Sequence, residues 1–329
     1  MAVATAQHGH HETTLKPHRF MCAFLERPAF LLGRLDQICT AIHGELSAGE
    51  TLSQTEFLLL LAAGGARDQI SLARAAGVDK STTALILNNL ENAGVIERLP
   101  DPADRRRTHP RLTATGRDHA AIAATKYAEL QRQLVAPLGK NRSGEELVAL
   151  LRRIARNAAC PAPAWTPDSA ADLLVDAPSF HGRRALQVAE ATFLDATTSL
   201  SLTPRQFSML FILRAEPGLT QAELSRLFGL DPSTGTVIMR NLAARGLVDC
   251  AAAPDDRRKR TYALTDAGHT QLARAEPLVA ESERRLMDPL DGAQAAALVA
   301  SLQSIVRAHS RRLRFPGEFG ACFDACGEA

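Results

Sequence analysis

The stretch that decides the fold is LARAAGVDKSTTALILNNLENAGVIERLPDPADRRRTHPRLTATG, residues 72–116. It returns 152 positions later as LSRLFGLDPSTGTVIMRNLAARGLVDCAAAPDDRRKRTYALTDAG, residues 224–268. The two stretches align without a gap, and 17 of their 45 positions are identical. A repeat with so long a period indicates two duplicated domains rather than a solenoid of short units.

The similarity extends beyond this stretch, with small changes of offset. Upstream, Phe30 and Phe57 correspond to Phe180 and Phe207 at an offset of 150. Loops accept such small insertions. We therefore predict two repeats joined by a semi-rigid linker rich in Pro and Ala. The predicted limits are 1–21 for an N-terminal arm, 22–157 for repeat 1, 158–171 for the linker, 172–309 for repeat 2 and 310–329 for a C-terminal tail.

Each repeat has the pattern of a helical domain with one β-hairpin. In repeat 1, apolar residues recur at helical spacing over Phe30–Leu46, and a capping box is predicted at Ser53 and Glu56. Asp79 and Asp231 each follow a glycine turn and are suited to cap the next helix. A helix, a short glycine turn and a second helix form the helix-turn-helix pattern. Short β-prone runs around a basic turn then predict a hairpin, and two further helices close each repeat.

Composition and charge exclude several classes of protein. Hydrophobic residues make up 46% of the 329 positions and charged residues 22%, which is typical of a folded globular chain. The net charge of +2 means that any nucleic-acid surface must be a local patch. No apolar run approaches the roughly 18 residues that span a bilayer, and the polar first residues lack the apolar core of a signal peptide. We predict a chain without membrane contact, in the cytoplasm.

Motifs of enzymes and of cofactor sites are missing from the sequence. It contains no G-x-x-x-x-G-K-[ST], H-E-x-x-H, G-x-S-x-G or G-x-G-x-x-G. Four histidines, His8, His10, His11 and His18, lie in the predicted N-terminal arm without the spacing of a defined metal site. The six cysteines form no C-x-x-C pair. We predict a protein that is not an enzyme and uses no cofactor or metal.

The order of elements and three local motifs resemble the MarR family of bacterial transcription regulators. The motifs are the wing sequences DPADRRR (101–107) and APDDRRK (253–259), the Leu-Thr-x-x-Gly after each wing, and the Asp-x-Ser-Thr at the start of each second helix. The resemblance covers nearly the whole chain, twice. It implies a mainly α fold with small β-wings, built as two tandem winged helix-turn-helix domains. Family members are usually single-domain homodimers with intertwined first and last helices, so the fused chain implies an intramolecular pseudo-dimer that acts as a monomer.

The resemblance implies that double-stranded DNA is the partner, with the second helix of each motif in the major groove. Short polar side chains in the first turn of that helix can contact bases and phosphates, although the same residue types are also ordinary N-terminal caps. The contacts predicted on the two helices are Lys80, Ser81, Thr82, Thr83, Asn89, Ser233, Thr234, Arg240 and Asn241. Since the two helices differ, the expected operator is an imperfect palindrome.

Basic residues cluster in each wing. The predicted wing contacts are Arg105, Arg106, Arg107, Arg257, Arg258 and Lys259, with Asp104 and Asp256 orienting them by ion pairs. By resemblance, Arg106 and Arg258 enter the minor groove, where the negative potential is enhanced. The ordinary alternative is a solvated run of charge. Pro110 replaces the Tyr262 of the second wing and predicts a shorter or looser first wing.

In the family, small aromatic or phenolic acids often bind between the dimerisation helices and the DNA-binding lobe. Arg34 and Arg184 occupy equivalent positions in the two repeats, and a guanidinium beside an apolar pocket suits a carboxylate. The candidate ligand-binding residues are Phe30, Arg34, His43 and Phe57 in repeat 1 and Phe180, Arg184, Phe193 and Phe207 in repeat 2. The alternative places the phenylalanines in the core and the arginines in solvent.

We therefore predict a repressor that a small aromatic or phenolic ligand releases from DNA. Two other functions stay open at this point. The same fold can serve as a protein-interaction module that does not bind DNA, or as a thiol-based redox sensor through Cys22 or Cys39 near the first helix. Repeat 2 has no cysteine there, and Cys322 and Cys326 fit a flexible tail with free thiols.

Overall fold

Repeat 1 is helical apart from one hairpin. The computed structural model describes residues 19–47, 49–64, 68–100, 108–139, 144–157, 162, 165–166, 171–252 and 259–325. The elements of repeat 1 are α1 (Arg19–Leu25), α2 (Pro28–Leu46), α3 (Leu52–Ala62), α4 (Gln69–Ala76), α5 (Lys80–Asn92), β1 (Ile96–Pro100), β2 (Thr108–Leu112), α6 (Ala114–Val135) and α7 (Gly144–Ala155).

Repeat 2 follows the same order, with one strand more among the described residues. Its elements are α8 (Asp172–Val175), α9 (Pro178–Ala196), α10 (Pro204–Ala215), β3 (Leu219–Thr220), α11 (Gln221–Phe228), α12 (Pro232–Ala244), β4 (Val248–Ala252), β5 (Arg260–Leu264), α13 (Asp266–Met287) and α14 (Gly292–His309), with α15 (Gly320–Ala325) after them. The predicted fold class is confirmed, since the chain is mostly helical with small antiparallel sheets.

Side-chain caps fix where the second helix of each motif begins. The Asp79 carboxylate accepts from the backbone N–H groups of Ser81 and Thr82, and Asp231 accepts from the N–H of Ser233. Such caps satisfy N–H groups that have no partner within the helix. Both caps predicted from the sequence are confirmed.

The Leu-Thr-x-x-Gly pattern joins each hairpin to the long helix behind it. Thr113 caps α6 through the N–H of Gly116, and its hydroxyl donates to the carbonyl of Gly94 (2.8 Å). A Cβ on Gly116 would collide with the carbonyl of Val95. Repeat 2 has the same arrangement at Thr265 and Gly268. Glycine is therefore needed where the helix passes the hairpin.

Helix α3 begins earlier than the sequence suggests. Thr51, not Ser53, is the N-cap, and Gln54 completes the capping box. The predicted box at Ser53 and Glu56 is wrong because Thr51-x-x-Gln54 satisfies the same pattern two residues upstream. Glu56 instead points into the core, where its side chain is 1% exposed.

The two hairpins have the same length. Each pairs five residues with five, β1 with β2 and β4 with β5. A shorter first wing, one of the two effects predicted for Pro110, is therefore wrong for the described strands, whereas the predicted looser wing stays a prediction. In repeat 2, β3 adds a short third strand by pairing Leu219 with Tyr262. Tyr262 stands where repeat 1 has Pro110, which has no backbone N–H to give to a ladder.

The first and last helices of the two repeats interlock. Helix α2 packs against α9 and α14, and α9 packs against α7, so the first helix of each repeat contacts the last helix of the other. A Cβ on Gly182 of α9 would lie 2.5 Å from Cδ2 of Leu35 on α2. Leu35, Ile38 and Val188 on these helices are fully buried. The shared core confirms the predicted intramolecular pseudo-dimer.

The C-terminal tail is packed against this body. Phe319 is 2% exposed and Cys322 is fully buried. Helix α15 contacts α1, so the last turns of the described chain return to its first helix. The prediction of a flexible tail is wrong for these residues, because Phe319, Cys322 and Phe323 together bury apolar surface. Cys326 lies outside the described residues.

Candidate nucleic-acid interface and ligand pocket

Helix α5 presents a first turn whose hydroxyls are bound to one carboxylate. The side chains of Ser81 and Thr82 donate to the two oxygens of Asp79, the latter over 2.6 Å. These bonds, that of Ser81 first, hold the pKa of Asp79 well below its usual range. Both hydroxyls lie on exposed residues. A hydroxyl whose proton is held by Asp79 can still accept from a base amino group, because it keeps acceptor lone pairs.

The remaining contacts predicted on α5 separate into an outer and an inner face. Lys80 and Asn89 are exposed. Thr83 is fully buried and donates to the Asp79 carbonyl (2.8 Å). Its predicted contact with DNA conflicts with this burial, since position 83 faces the core, and Thr83 is left out of the interface. Asn88, on the exposed face, accepts from Nη2 of Arg98 on the hairpin (2.6 Å).

Helix α12 repeats this geometry with different side chains. Ser233 is exposed and bound to Asp231, whose pKa is lowered first by that side chain. Thr234 is half-buried. Arg240 and Asn241 are exposed about two turns further on. Arg240 stands where repeat 1 has Asn88, so the two exposed faces differ in charge.

The wing tips lie outside the described residues, which stop at Pro100 and Ala252 and resume at Thr108 and Lys259. This applies to the predicted contacts Arg105, Arg106, Arg107, Arg257 and Arg258 and to the orienting Asp104 and Asp256. Lys259, at the start of the described return strand, is exposed. The described outgoing strands, β1 and β4, follow the C-terminal ends of α5 and α12.

Four of the eight predicted pocket residues line one cavity of about 240 Å³. Phe30 and Arg34 come from α2 of repeat 1, whereas Phe193 and Phe207 come from α9 and α10 of repeat 2. The cavity thus combines candidate residues of both repeats, and the other four candidates do not line it. The interlocked first helices carry Arg34 to the lobe of the other repeat, and the pocket is composite.

Arg34 is a buried cation held by carbonyl oxygens and aromatic rings. It is 3% exposed, and its Nη2 donates to the carbonyl of Phe228 (2.5 Å). Its Nη1 donates to Oε1 of Gln37 (3.0 Å) and to the carbonyl of Phe315 (3.4 Å). The guanidinium lies over the rings of Phe30 (5.2 Å) and Phe319 (4.8 Å). Burial lowers its pKa to about 10, so it stays charged at neutral pH.

Arg184 approaches the lobe of repeat 1 in the same way. Its pKa is lowered to about 10, first by burial, and it lies 5.7 Å from the Trp165 ring. Its Cδ would be 3.4 Å from a Cβ on Gly77, in the turn before α5. Phe180 is buried with its ring 6.1 Å from that of Trp165. Neither Trp165 nor Phe319 was expected at these arginines, because nothing local in the sequence connects them.

His43 and Phe57 lie in the core. Phe57 is fully buried, and Nε2 of His43 is 2.9 Å from Oγ1 of the buried Thr55. Burial lowers the pKa of His43. These two positions are the repeat-1 equivalents of Phe193 and Phe207. The support for His43 and Phe57 as ligand-binding residues is therefore only their equivalence to Phe193 and Phe207.

Comparison with known proteins identifies the relationship. MarR family models match residues 51–108 and 200–259. A protein of Thauera aromatica, described as a regulatory protein for the hcr operon, is 30% identical over 132 residues, which are 40% of this chain and 80% of that protein. The HTH-type transcriptional repressor NicR of Pseudomonas putida is 31% identical over 124 residues, 38% of this chain and 78% of NicR. The chain belongs to the MarR family. The resemblance drawn from the wings and the helix starts is confirmed.

MarR-family proteins are transcriptional regulators, which are not enzymes, and several relatives of this chain are named as repressors. Among solved structures, the repressor CouR bound to a 23-mer DNA duplex is 36% identical, covering 39% of this chain and 91% of CouR, with a TM-score of 0.37. The matched part of this chain covers 80% of the Thauera aromatica protein and 78% of NicR, so about one repeat corresponds to most of such a relative. The tandem arrangement of two MarR domains follows from the two matched segments.

Two exposed apolar residues complete the outer faces of the MarR recognition helices. Leu85 is 60% exposed on α5 and Val237 is 46% exposed on α12. They occupy the same position in the two repeats, 152 residues apart. An apolar side chain in the major groove suits the methyl group of thymine. Sequence reasoning missed them because leucine and valine in a helix fit a buried face equally well, and only their shared position could have marked them.

A buried ion pair links the two MarR domains. Nη2 of Arg183 on α9 lies 2.8 Å from Oε2 of Glu56 on α3, and it also donates to the carbonyl of Ala76 (2.9 Å). Burial raises the pKa of Glu56, while Arg183 opposes that rise. Such a pair costs desolvation and depends on both partners. No local motif signals it, since its members are 127 positions apart.

The described residues lack the features of a membrane span and of a metal site. None of their helices is long and apolar enough to cross a membrane. Within the same part of the chain, no three His, Cys, Asp or Glu residues are grouped so as to hold a metal ion. The four N-terminal histidines lie outside it. The predicted domain limits stay predictions, and α1 begins at Arg19, ahead of the predicted start at 22.

Proposed function

We propose that the chain is a DNA-binding repressor that uses α5 and α12 to read two half-sites of one operator. One observation supports this above the others. Two helices with the same aspartate cap, each followed by an antiparallel hairpin, are held by a single interlocked helical body. Recognition helices related in this way read half-sites about 10 base pairs apart.

Among the described residues, the proposed contacts are exposed residues, together with the half-buried Thr234. On the helices and hairpins they are Lys80, Ser81, Thr82, Leu85, Asn89, Ser233, Thr234, Val237, Arg240, Asn241 and Lys259. The wing residues Arg105, Arg106, Arg107, Arg257 and Arg258 would add minor-groove and phosphate contacts, with Asp104 and Asp256 orienting them. Arg240 can form a bidentate contact with guanine, whereas Asn88 is held by Arg98. The half-site of repeat 2 should therefore be the more guanine-dependent.

The test is a titration of a labelled duplex, taken from the region upstream of the chain's own gene, followed by fluorescence anisotropy. In the double variant Arg106→Ala/Arg258→Ala, affinity should fall by at least about tenfold and the salt slope by about two, because two cations leave the duplex. The matched control is Arg132→Ala. It removes an exposed arginine that lies on α6, more than four turns from the hairpin. Equal affinities for the double variant and the control would favour a protein-interaction module.

We also propose that a small aromatic or phenolic acid releases the repressor from DNA by binding at Arg34. The support is a charged guanidinium at the wall of an aromatic cavity whose volume suits one ring. Benzoate and its hydroxyl derivatives are the probes. They should dissociate the wild-type complex but not that of Arg34→Gln, provided that Arg34→Gln binds DNA normally in their absence. If no member of this panel weakens the wild-type complex, the ligand part of the proposal fails.

A thiol switch is less well supported. Burial raises the pKa of the Cys39 thiol well above its usual range, so it stays neutral at physiological pH. Since the thiolate is the reactive form, this environment disfavours oxidation. Ligand binding, rather than cysteine chemistry, is therefore the proposed input.

A further inference from the structure

The segment after each repeat covers the turn of that repeat's own helix-turn-helix motif. In repeat 2 the covering segment is residues 313–323, here named the tail. The N–H of Glu318 donates to the carbonyl of Leu227 at the end of α11 (3.0 Å), and Glu318 pairs with Arg226 on the same helix. The tail is thus bound through backbone and side chain to the helix that precedes the recognition helix.

The tail also reaches the turn itself. A Cβ on Gly229 would lie 2.6 Å from the carbonyl oxygen of Phe315 and 2.8 Å from the nitrogen of Gly317. Gly229 ends α11, and Asp231, two residues later, caps α12. A change in the tail therefore acts directly on the turn that orients the recognition helix.

Tail and cavity share one cation. The carbonyl of Phe315 accepts from Arg34, and the ring of Phe319 lies 4.8 Å from its guanidinium carbon. The ring of Phe30, a neighbour of Phe319, lies 5.2 Å from the same carbon. Phe319 is also part of an aromatic cluster with Phe24 and Phe228. A carboxylate that takes Arg34 as its counter-ion competes with this carbonyl and disturbs the stacking.

The linker forms a related contact in repeat 1. Nε1 of Trp165 donates to the carbonyl of Ala75 (3.1 Å), and the N–H of Thr166 donates to the carbonyl of Arg74 (3.1 Å). Ala75 corresponds to Leu227 in the repeat. In each lobe, an aromatic residue from the segment that follows the repeat lies beside an arginine of the other repeat. The pairs are Trp165 with Arg184 and Phe319 with Arg34.

We propose that the tail and an aromatic carboxylate bind Arg34 in a mutually exclusive way, so that the ligand displaces the tail from the helix-turn-helix turn of repeat 2. This inference rests on the proposed function for its effector class. It adds that the tail of the same chain occupies the Arg34 site when no ligand is bound. The apparent Kd of the ligand is then its intrinsic Kd divided by the fraction of molecules in which the tail is released.

The test measures benzoate binding by calorimetry, without DNA. Phe319→Ala should bind benzoate at least about tenfold more tightly than the wild type, because the ring that holds the tail over Arg34 is gone. Phe323→Ala is the matched control, since it removes a buried ring of α15 but leaves Phe319 in place. The double variant Phe319→Ala/Arg34→Gln should lose the gain. Benzoate binding to Phe319→Ala that is no tighter than to the wild type, or undetectable, overturns the proposal.

A second measurement covers the case in which Phe319→Ala does not fold. Hydrogen exchange of the wild-type tail is followed with and without saturating benzoate. The amide of Glu318 should exchange faster when benzoate is bound, and unchanged protection at saturation overturns the proposal. Because neither experiment uses DNA, failure of the tail competition and failure of DNA binding are distinguished.

Discussion

The ion pair between Arg183 and Glu56 offers a sharp test of how the repeats interlock. It joins α9 of repeat 2 to α3 of repeat 1 over 2.8 Å, and the Glu56 side chain is 1% exposed. Arg183→Met keeps an apolar stem but leaves the carboxyl buried without its partner. Removing one member of a buried pair costs about 3–5 kcal/mol, so the free energy of unfolding should fall by that amount at pH 7.

The pH dependence of this loss has a defined sign. Burial raises the pKa of Glu56, and Arg183 opposes the rise. Without Arg183, the folded-state pKa moves further above the unfolded value of about 4.3. A group whose folded pKa is raised stabilises the fold below its unfolded pKa, and this stabilisation is lost as the pH rises through the folded pKa. The deficit of Arg183→Met relative to the wild type should therefore shrink as the pH falls from neutrality.

Urea unfolding followed by circular dichroism, at several pH values between about 5 and 7, measures both effects. Adding Glu56→Leu to Arg183→Met should restore part of the lost stability, because an apolar pair can replace a buried ion pair at little cost. The reasoning is refuted if Arg183→Met is as stable as the wild type at pH 7, if its deficit grows in acid, or if the double variant is no more stable than the single one.

Three further predictions concern the interface, the tail and a cap. Arg240→Ala should weaken duplex binding on the order of tenfold and lower the salt slope by about one, measured by anisotropy, whereas Arg132→Ala should change neither. Gly229→Ala should lower the melting temperature more than Gly246→Ala. Both glycines have positive φ (75° and 66°), but of these two positions only 229 would bring a Cβ against the tail. Equal losses of melting temperature would contradict a packed tail. Asp79→Ala should destabilise the fold at neutral pH. Because the folded-state pKa of Asp79 is lowered, the stability that its carboxylate contributes is lost in acid. The free energies of unfolding of the variant and the wild type should therefore converge as the pH falls below about 4.

Local signals in the sequence predicted the elements well. Asp79 and Asp231 are caps because a short carboxylate after a glycine turn has few other roles. Thr113 and Thr265 mark the start of the long helices because a threonine hydroxyl there can accept from the N–H three residues on. Where two patterns overlapped, as at Thr51 and Ser53, the choice failed, since each offered a hydroxyl with a polar residue three positions on.

The composite pocket could not be predicted in the same way. Arg34 and Arg184 were found as an equivalent pair, but their surroundings depend on which lobe each first helix crosses to reach. That crossing is set by packing of α2 on α9, which involves residues about 150 positions apart. The partners of Arg34 in the tail, Phe315 and Phe319, are more than 280 positions away and belong to no motif.

Fusion of the two domains removes a constraint that a homodimer obeys. In a symmetric dimer, a substitution in one recognition helix appears in both. In this chain, position 88 is an asparagine bound to Arg98, while the equivalent 240 is an exposed arginine. The covers differ too, with Trp165 over the turn of one lobe and the tail over that of the other. When two linked lobes bind one duplex, the second lobe binds at a high effective concentration, and the joint affinity exceeds that of either lobe alone. This gain is lost when one lobe no longer fits its half-site, so loosening a single lobe is enough to lose most of the joint affinity. Under the proposed tail competition, an input that acts only on the tail side would therefore control the whole of the proposed operator contact.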